Sequence, residues 1–173
     1  MDIAEILKGK EGKVEVKGWL HNKRSSGGIQ FLILRDGTGF IQCTLRRDAV
    51  DEKTFEETER LPLESAIEIF GTIKKDERAP YGYEIEIEKI KVISRAEEDF
   101  PIGKKYHGPK FLLDNRHLWI RSKKMNRIIR VRAKVLEAAR EWFKENGFIE
   151  VQVPIIVSAA CEGGSTLFEL KYF

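Results

Sequence analysis

Apolar and polar residues alternate along five short stretches in the first half of the chain. Such alternation is typical of strands with one buried face. A short helix that ends before Pro62 is predicted between the third and fourth stretches, because acidic residues come early in it and a basic residue comes late. This order of elements predicts an all-β fold, the five-stranded Greek-key barrel known as the OB-fold. The strands are 13–20, 29–34, 40–45, 66–73 and 83–93, and the helix is 51–60.

The second half of the chain has a different pattern. Residues 94–108 are polar and contain Pro101, Gly103 and Gly108, which is typical of a connection between domains. Apolar residues then recur at steps of three and four from Ser122 or Lys123 to Asn146, which predicts one long helix. A strand is predicted at 148–153, ended by Pro154. The resulting organisation is a barrel at 1–95, a linker at 96–120 and the beginning of a second domain at 121–173.

Composition and charge exclude several classes of protein. The 173 residues include 42% hydrophobic and 34% charged residues, which is ordinary for a globular chain. No apolar run is long enough to span a bilayer and the first residues do not resemble a secretory signal, so a cytoplasmic protein without membrane contact is expected. The two cysteines, Cys43 and Cys161, have no partners at metal-ligand spacing and are expected to be ordinary small hydrophobes.

A net charge of +3 does not by itself indicate a nucleic-acid binder, so the position of the charges matters. Basic residues cluster between Arg121 and Lys134, where no acidic residue lies. This cluster fits a solvated helix face and a phosphate-binding face equally well.

The predicted barrel carries a candidate nucleic-acid site on its second, third and fifth strands. Phe31 could stack on an unpaired base, while Gln42 and Glu84 could form hydrogen bonds with its edge. Lys23 and Arg24, placed in the first loop, could bind phosphates. The pattern alone leaves the alternative open, since a strand phenylalanine is more often a core residue and the two polar residues are more often on the surface.

Two segments resemble the anticodon-binding domain of the class II aspartyl-, asparaginyl- and lysyl-tRNA synthetases. They are GWLHNKRSSGG at 18–28 and FLILRDGTGFIQ at 31–42. The resemblance implies that Phe31 stacks on the central anticodon uridine, that Gln42 forms hydrogen bonds with it and that Glu84 completes the pocket. Arg24 is assigned to the same anticodon site.

The rest of the chain resembles the opening of the α+β class II catalytic domain. The segments LDNRHLWIR at 113–121 and NGFIEVQVP at 146–154, with the helix between them, are similar to motif 1. In the family this motif forms the homodimer interface and ends on a proline, here Pro154. The segment EGGSTLF at 162–168 is similar to the mobile loop over the amino-acid pocket, and Glu162 matches the carboxylate that binds the substrate ammonium group.

The resemblance implies ATP-dependent attachment of an amino acid to tRNA through an aminoacyl-adenylate, with Mg²⁺ bound to the ATP phosphates. The segments RHLWIR and KRSSGG are more similar to asparaginyl than to aspartyl members, so asparagine is the expected substrate. The ATP-binding arginines of motifs 2 and 3 lie further downstream in the family. We therefore expect the chain to be the N-terminal fragment of a longer enzyme, with no catalytic residues of its own and no activity or bound cofactor alone.

Three alternatives remain open at this point. A non-discriminating aspartyl-tRNA synthetase would differ only in pocket residues further along. A stand-alone OB-fold tRNA-binding module would explain the first half of the chain but not the second. A dimerisation module built on the long helix would explain the second half and leave Phe31, Gln42 and Glu84 without a role.

Overall fold

The computed structural model describes residues 1–97, 100–103, 105–156 and 170–171. The chain divides into two compact units, Met1–Lys105 and Tyr106–Phe173. No helix among the described residues is long and apolar enough to cross a membrane.

Within the described residues, the first unit is a closed barrel of five strands in the order β1-β2-β3-β5-β4. All neighbouring strands are antiparallel except β3 and β5, which are parallel. The barrel and the helix between its third and fourth strands confirm the predicted OB-fold. The elements are α1 (Ile3–Ile6), β1 (Gly12–Ser26), β2 (Ile29–Arg35), β3 (Phe40–Arg46), a 3-10 turn (Arg47–Ala49), α2 (Glu52–Glu59), β4 (Ala66–Lys75) and β5 (Tyr83–Ser94).

The first strand is longer than its alternation predicts. It continues through 21–26, where the sequence is polar, because it pairs with β4 over its first half and with β2 over its second half. A register irregularity between Leu20 and Asn22 marks the change of partner. Lys23 and Arg24 therefore lie within a strand, and the prediction that they lie in a loop is wrong.

Alternate residues of the strands fill the barrel with branched aliphatic side chains such as Val16, Leu34 and Ile69, which are completely buried. Cys43 is buried among them, and this burial, with a smaller effect of the Glu84 charge, raises the pKa of its thiol. Gly71 permits a close contact between β4 and β5, since a Cβ atom there would lie 2.1 Å from the carbonyl oxygen of Glu86.

The N-terminal helix α1, which the sequence pattern did not predict, closes the end of the barrel. Ile3 and Ile6 are completely buried. The Asp36 carboxylate accepts a hydrogen bond from the backbone N–H of Ile3 at 2.8 Å, and it also accepts from the backbone N–H groups of Thr38 and Gly39. Burial raises the pKa of Asp36, but these hydrogen bonds outweigh burial and the net shift is downward.

The helix α2 begins where Asp51 accepts a hydrogen bond from the backbone N–H of Thr54 at 2.9 Å. Its buried face carries Phe55 and Thr58. The side chain of Gln30 on β2 donates to the carbonyl oxygen of Phe55 at 2.7 Å and so joins the helix to the barrel wall.

The second unit contains three helices in its described part: α3 (Pro109–Asp114), α4 (Arg116–Trp119) and α5 (Lys123–Glu145). The first two lie in the stretch 96–120 that was predicted to be a linker. Ser122 caps the long helix by accepting from the backbone N–H of Met125 at 3.3 Å. The apolar side chains of α5 are largely exposed, as Val131, Val135 and Trp142 illustrate.

The strand predicted at 148–153 is not formed, and this prediction is wrong. A strand needs a neighbouring backbone for its hydrogen bonds, and among the described residues none pairs with this segment. The chain instead turns at Gly147, and the Phe148 ring packs edge-on against Phe143 with 5.3 Å between the ring centroids.

Replacing Asp36 by asparagine should lower the free energy of unfolding by about 1–2 kcal/mol at neutral pH, because a charged acceptor for α1 and the 36–39 turn is lost. A carboxyl whose pKa is lowered on folding stabilises the protein above its unfolded pKa. This stabilisation is lost as the pH falls through the folded value. The difference between wild type and variant should therefore shrink below about pH 4.

Urea unfolding followed by circular dichroism across this pH range measures the effect. Asp48→Asn is the matched control, since Asp48 is an exposed carboxylate that pairs with the Arg46 side chain, and such exposed pairs contribute little. An Asp36 variant as stable as wild type at neutral pH would contradict the capping role.

Candidate nucleic-acid interface

A groove crosses the outside of the barrel between β1, β2, β3, β5 and the loop that joins β4 to β5. We call it the barrel groove. It is lined by Arg24, Ile29, Phe31, Gln42, Thr44, Arg46, Lys74, Lys75, Asp76, Glu77, Arg78, Ala79, Glu84 and Glu86. All four side chains that the sequence assigned to the anticodon site, Arg24, Phe31, Gln42 and Glu84, lie in it.

Gln42 and Glu84 meet at the floor of the barrel groove because β3 and β5 pair in parallel with these two residues in register. The Gln42 side-chain nitrogen donates to a carboxylate oxygen of Glu84 at 3.1 Å. A carboxylate only accepts hydrogen bonds. The contact therefore fixes which end of the Gln42 amide faces Glu84, and it leaves the amide oxygen and the second N–H for another partner.

Phe31 and Arg24 form the adjoining part of the barrel groove. They are paired residues of β2 and β1. The guanidinium carbon of Arg24 lies 3.8 Å from the centroid of the Phe31 ring, which is the arrangement of a cation–π contact. The aromatic face that the sequence suggested for base stacking is therefore covered by a cation in this structure.

Lys23 does not share the site with its neighbour Arg24. Successive residues of a strand point to opposite faces, and the Lys23 ammonium donates to the carbonyl oxygens of Glu59 and Leu61, at 2.6 Å for Leu61. These carbonyls lie at the C-terminal end of α2, where a cation is favoured. Lys23 is not among the residues that line the barrel groove, and its interpretation as a phosphate ligand stays a prediction.

Several charged residues of the barrel groove were not assigned from the sequence. Lys74 forms an ion pair with Glu86, and Arg78 forms one with Asp76. The alternation of β5 could have identified Glu86, because it lies two residues from Glu84 and so on the same face. The loop residues Asp76 and Arg78 carried no such signal, since a loop has no fixed periodicity.

Two predicted site residues come later in the chain than the barrel. Pro154 belongs to the second unit, in the segment after α5 that forms no strand. Glu162 lies outside the described residues. The roles given to these two residues stay predictions. Among the residues that the structure describes, no three His, Cys, Asp or Glu side chains come together as a metal site.

Comparison with known proteins identifies both halves of the chain. Residues 14–93 match the model of the OB-fold nucleic acid binding domain. Residues 108–173 match the model of the class II tRNA synthetases of the D, K and N group. The chain belongs to this class II tRNA synthetase family. The family prediction made from the sequence is confirmed.

Relatives within the class II tRNA synthetases support the same assignment. The asparagine–tRNA ligase of Thermus thermophilus is 43% identical over 171 residues, which cover 99% of this chain and 39% of the relative. That of Symbiobacterium thermophilum is 48% identical over 159 residues, which cover 92% of this chain and 36% of the relative. The chain thus spans less than two fifths of the length of these two synthetases.

A solved class II synthetase has the same fold. The crystal structure of asparaginyl-tRNA synthetase from Pyrococcus horikoshii, complexed with asparaginyl-adenylate, superposes with a TM-score of 0.83 at 42% identity. The match covers 94% of this chain and 38% of that one.

Lys23→Met and Arg24→Met should have different effects on stability although both remove one cation from β1. Loss of the Lys23 ammonium leaves two carbonyl oxygens at the end of α2 without their donor, and the free energy of unfolding should fall by about 1–2 kcal/mol. Loss of Arg24 removes one exposed cation–π contact and should lower the free energy of unfolding by less than about 1 kcal/mol. Urea unfolding of the two variants measures this, and equal losses would contradict the division of roles.

Proposed function

We propose that this chain is the anticodon-reading part of an asparaginyl-tRNA synthetase, which uses ATP to attach asparagine to its tRNA through an aminoacyl-adenylate. The observation that carries the proposal is the meeting of Phe31, Gln42 and Glu84 in one groove. The relatives that are asparagine–tRNA ligases support the choice of asparagine.

The chemistry of the barrel groove suits a uracil base. Uracil presents a donor, its ring N–H, beside a carbonyl acceptor, and the free oxygen and N–H of the Gln42 amide complement this pair. Cytosine presents an acceptor and an amino donor at the same positions. Its ring nitrogen would face the Gln42 oxygen, acceptor against acceptor, and its amino group would face the Gln42 N–H, donor against donor. Glu84 supports the discrimination, because its hydrogen bond with the Gln42 nitrogen keeps the amide from turning over.

Stacking on Phe31 requires that Arg24 leave the aromatic ring. A cation–π contact at an exposed site contributes about 0.5–1 kcal/mol, whereas a base stacked on an aromatic side chain contributes about 1–3 kcal/mol. The exchange therefore favours the base. The displaced guanidinium is then close enough to bind the RNA itself, either at a phosphate or at a neighbouring base.

The remaining functions that we propose concern the whole synthetase. Pro154 would end a motif 1 that forms the homodimer, and Glu162 would bind the ammonium group of asparagine. ATP and Mg²⁺ would be the cofactors of the reaction, and the enzyme would work in the cytoplasm with tRNA. The described residues offer no cluster that fits a metal ion, so we assign no step of the ATP chemistry to them.

Phe31→Ala should weaken anticodon binding and reduce the preference for a central uridine, because a base that is no longer stacked is held less firmly against Gln42. We expect the variant to bind an anticodon stem-loop with the asparagine anticodon about 1–3 kcal/mol more weakly, which is the usual contribution of a base–aromatic stack. Fluorescence anisotropy with the central uridine intact or replaced by cytidine measures both the affinity and the preference.

The matched control is Phe70→Ala. Phe70 is a strand residue with the Lys89 ammonium 5.9 Å from its ring centroid, and it does not line the barrel groove. Its removal should leave RNA binding unchanged. Weak, salt-sensitive binding of wild type to every RNA alike would mean that only phosphate attraction is present, and the anticodon assignment would fail.

The amino acid is tested independently of the RNA. Amino-acid-dependent exchange between ATP and pyrophosphate by the whole synthetase should occur with asparagine and not with aspartate. Exchange with aspartate alone would instead identify an aspartyl-tRNA synthetase, and attachment of aspartate to the asparagine tRNA would show that it is non-discriminating.

A further inference from the structure

Arg78 stands at the rim of the barrel groove with its guanidinium held on one side only. The Asp76 carboxylate accepts from Nε of Arg78 at 3.1 Å and from Nη2 at 3.0 Å. The Arg78 side chain is 91% exposed, whereas that of Asp76 is 23% exposed. A fixed, largely covered carboxylate thus orients a guanidinium that projects into solvent.

The loop between β4 and β5 does not need this contact to keep its shape. The backbone N–H of Asp76 donates to the carbonyl of Gly82, that of Gly82 to Ala79 and that of Ala79 to Asp76, at 3.0–3.1 Å. The side chain of Ala79 is buried. Backbone bonds and this buried residue therefore hold the loop without the contact between the Arg78 and Asp76 side chains.

The pairing changes what the guanidinium offers to a ligand. Asp76 occupies Nε and one N–H of Nη2, so the N–H groups of Nη1 and the other one of Nη2 point away from the carboxylate. The charge of Arg78 is compensated, which weakens its attraction for distant phosphates, while its free donors keep a fixed direction. Such a group favours an acceptor at one position over any anion nearby.

Arg78 is also within electrostatic reach of the groove floor. Hydrogen bonds with Asp76, the charge of Asp76 and then the charge of Glu84 raise the pKa of the Arg78 guanidinium. Arg78, Gln42 and Glu84 all line the barrel groove.

We propose that Asp76 is a positioning residue that aims the free edge of Arg78 at an oxygen acceptor of the RNA bound in the barrel groove. The acceptor is a phosphate oxygen or a base carbonyl of the nucleotides beside the stacked uridine. The inference rests on the proposed function and adds to it a determinant outside the Phe31, Gln42 and Glu84 set.

The test uses Asp76→Asn, because net charge and positioning predict opposite changes in the affinity for RNA. Removing a negative charge beside a polyanion should strengthen binding if only net charge matters. If Asp76 orients Arg78, binding should weaken about three- to tenfold, since the amide nitrogen of the variant faces an N–H of Arg78 and breaks the two-point contact. The one side-chain oxygen of the variant still accepts from the backbone N–H of Arg78. This contact is 2.9 Å long in wild type, so the loop should keep its fold.

Affinity for the anticodon stem-loop and the melting temperature are measured for Asp76→Asn, Arg78→Lys and the double variant. Arg78→Lys keeps the charge and loses the planar fork. We expect each single variant to weaken binding by a similar factor, the double variant to bind no more weakly than either, and the melting temperature to stay near wild type. Glu56→Gln is the matched control, because it removes a carboxylate beside Arg60 on α2, away from the barrel groove.

Asp76→Asn binding as tightly as wild type, or more tightly, would overturn the proposal. The salt dependence of Arg78→Gln identifies the acceptor: a flatter dependence than wild type indicates a phosphate, and an unchanged one with a loss confined to one base indicates a base carbonyl. Failure of the proposed function is seen separately, as a wild-type protein that does not distinguish the central uridine.

Discussion

The parallel pairing of β3 with β5 is the contact on which the rest of the first unit depends. It spans only Gln42 to Thr44 on one side and Glu84 to Glu86 on the other. Without it the strands would form an open sheet with two unpaired edges, which are liable to associate with other chains. With it the barrel closes, and two polar residues separated by 42 positions in the sequence come within hydrogen-bond distance.

The charges around the barrel groove are mostly balanced locally. Lys74 pairs with Glu86, Arg78 with Asp76, and Arg46 with Asp48. A surface of this kind attracts RNA less strongly than a uniformly basic one, and it relies on donors and acceptors held in fixed directions. The proposed nucleic-acid interface therefore does not require a large net charge, and the net charge of this chain is only +3.

The alternation of apolar residues predicted all five strands because each has one face in the barrel core, and the resemblance predicted which side chains meet in the groove. The extension of β1 to Ser26 could not be predicted, since it comes from pairing with β2 along a polar stretch. The same limit explains why Lys23 was wrongly placed in a loop, since it lies in this extension of β1 and its partners are backbone carbonyls distant in sequence. The strand predicted at 148–153 had the right composition, but strand formation also depends on a neighbouring backbone, which local sequence does not specify.

The burial of Cys43 has a chemical consequence for the barrel. Only the thiolate reacts rapidly with alkylating agents and disulfides, and in the closed barrel the Cys43 thiol is both inaccessible and kept protonated by its raised pKa. Its sulfur can react only when the strands around it separate. In a background where Cys161 is replaced by serine, the alkylation rate of Cys43 would therefore report how often the barrel opens. The reporter lies on β3, next to Gln42.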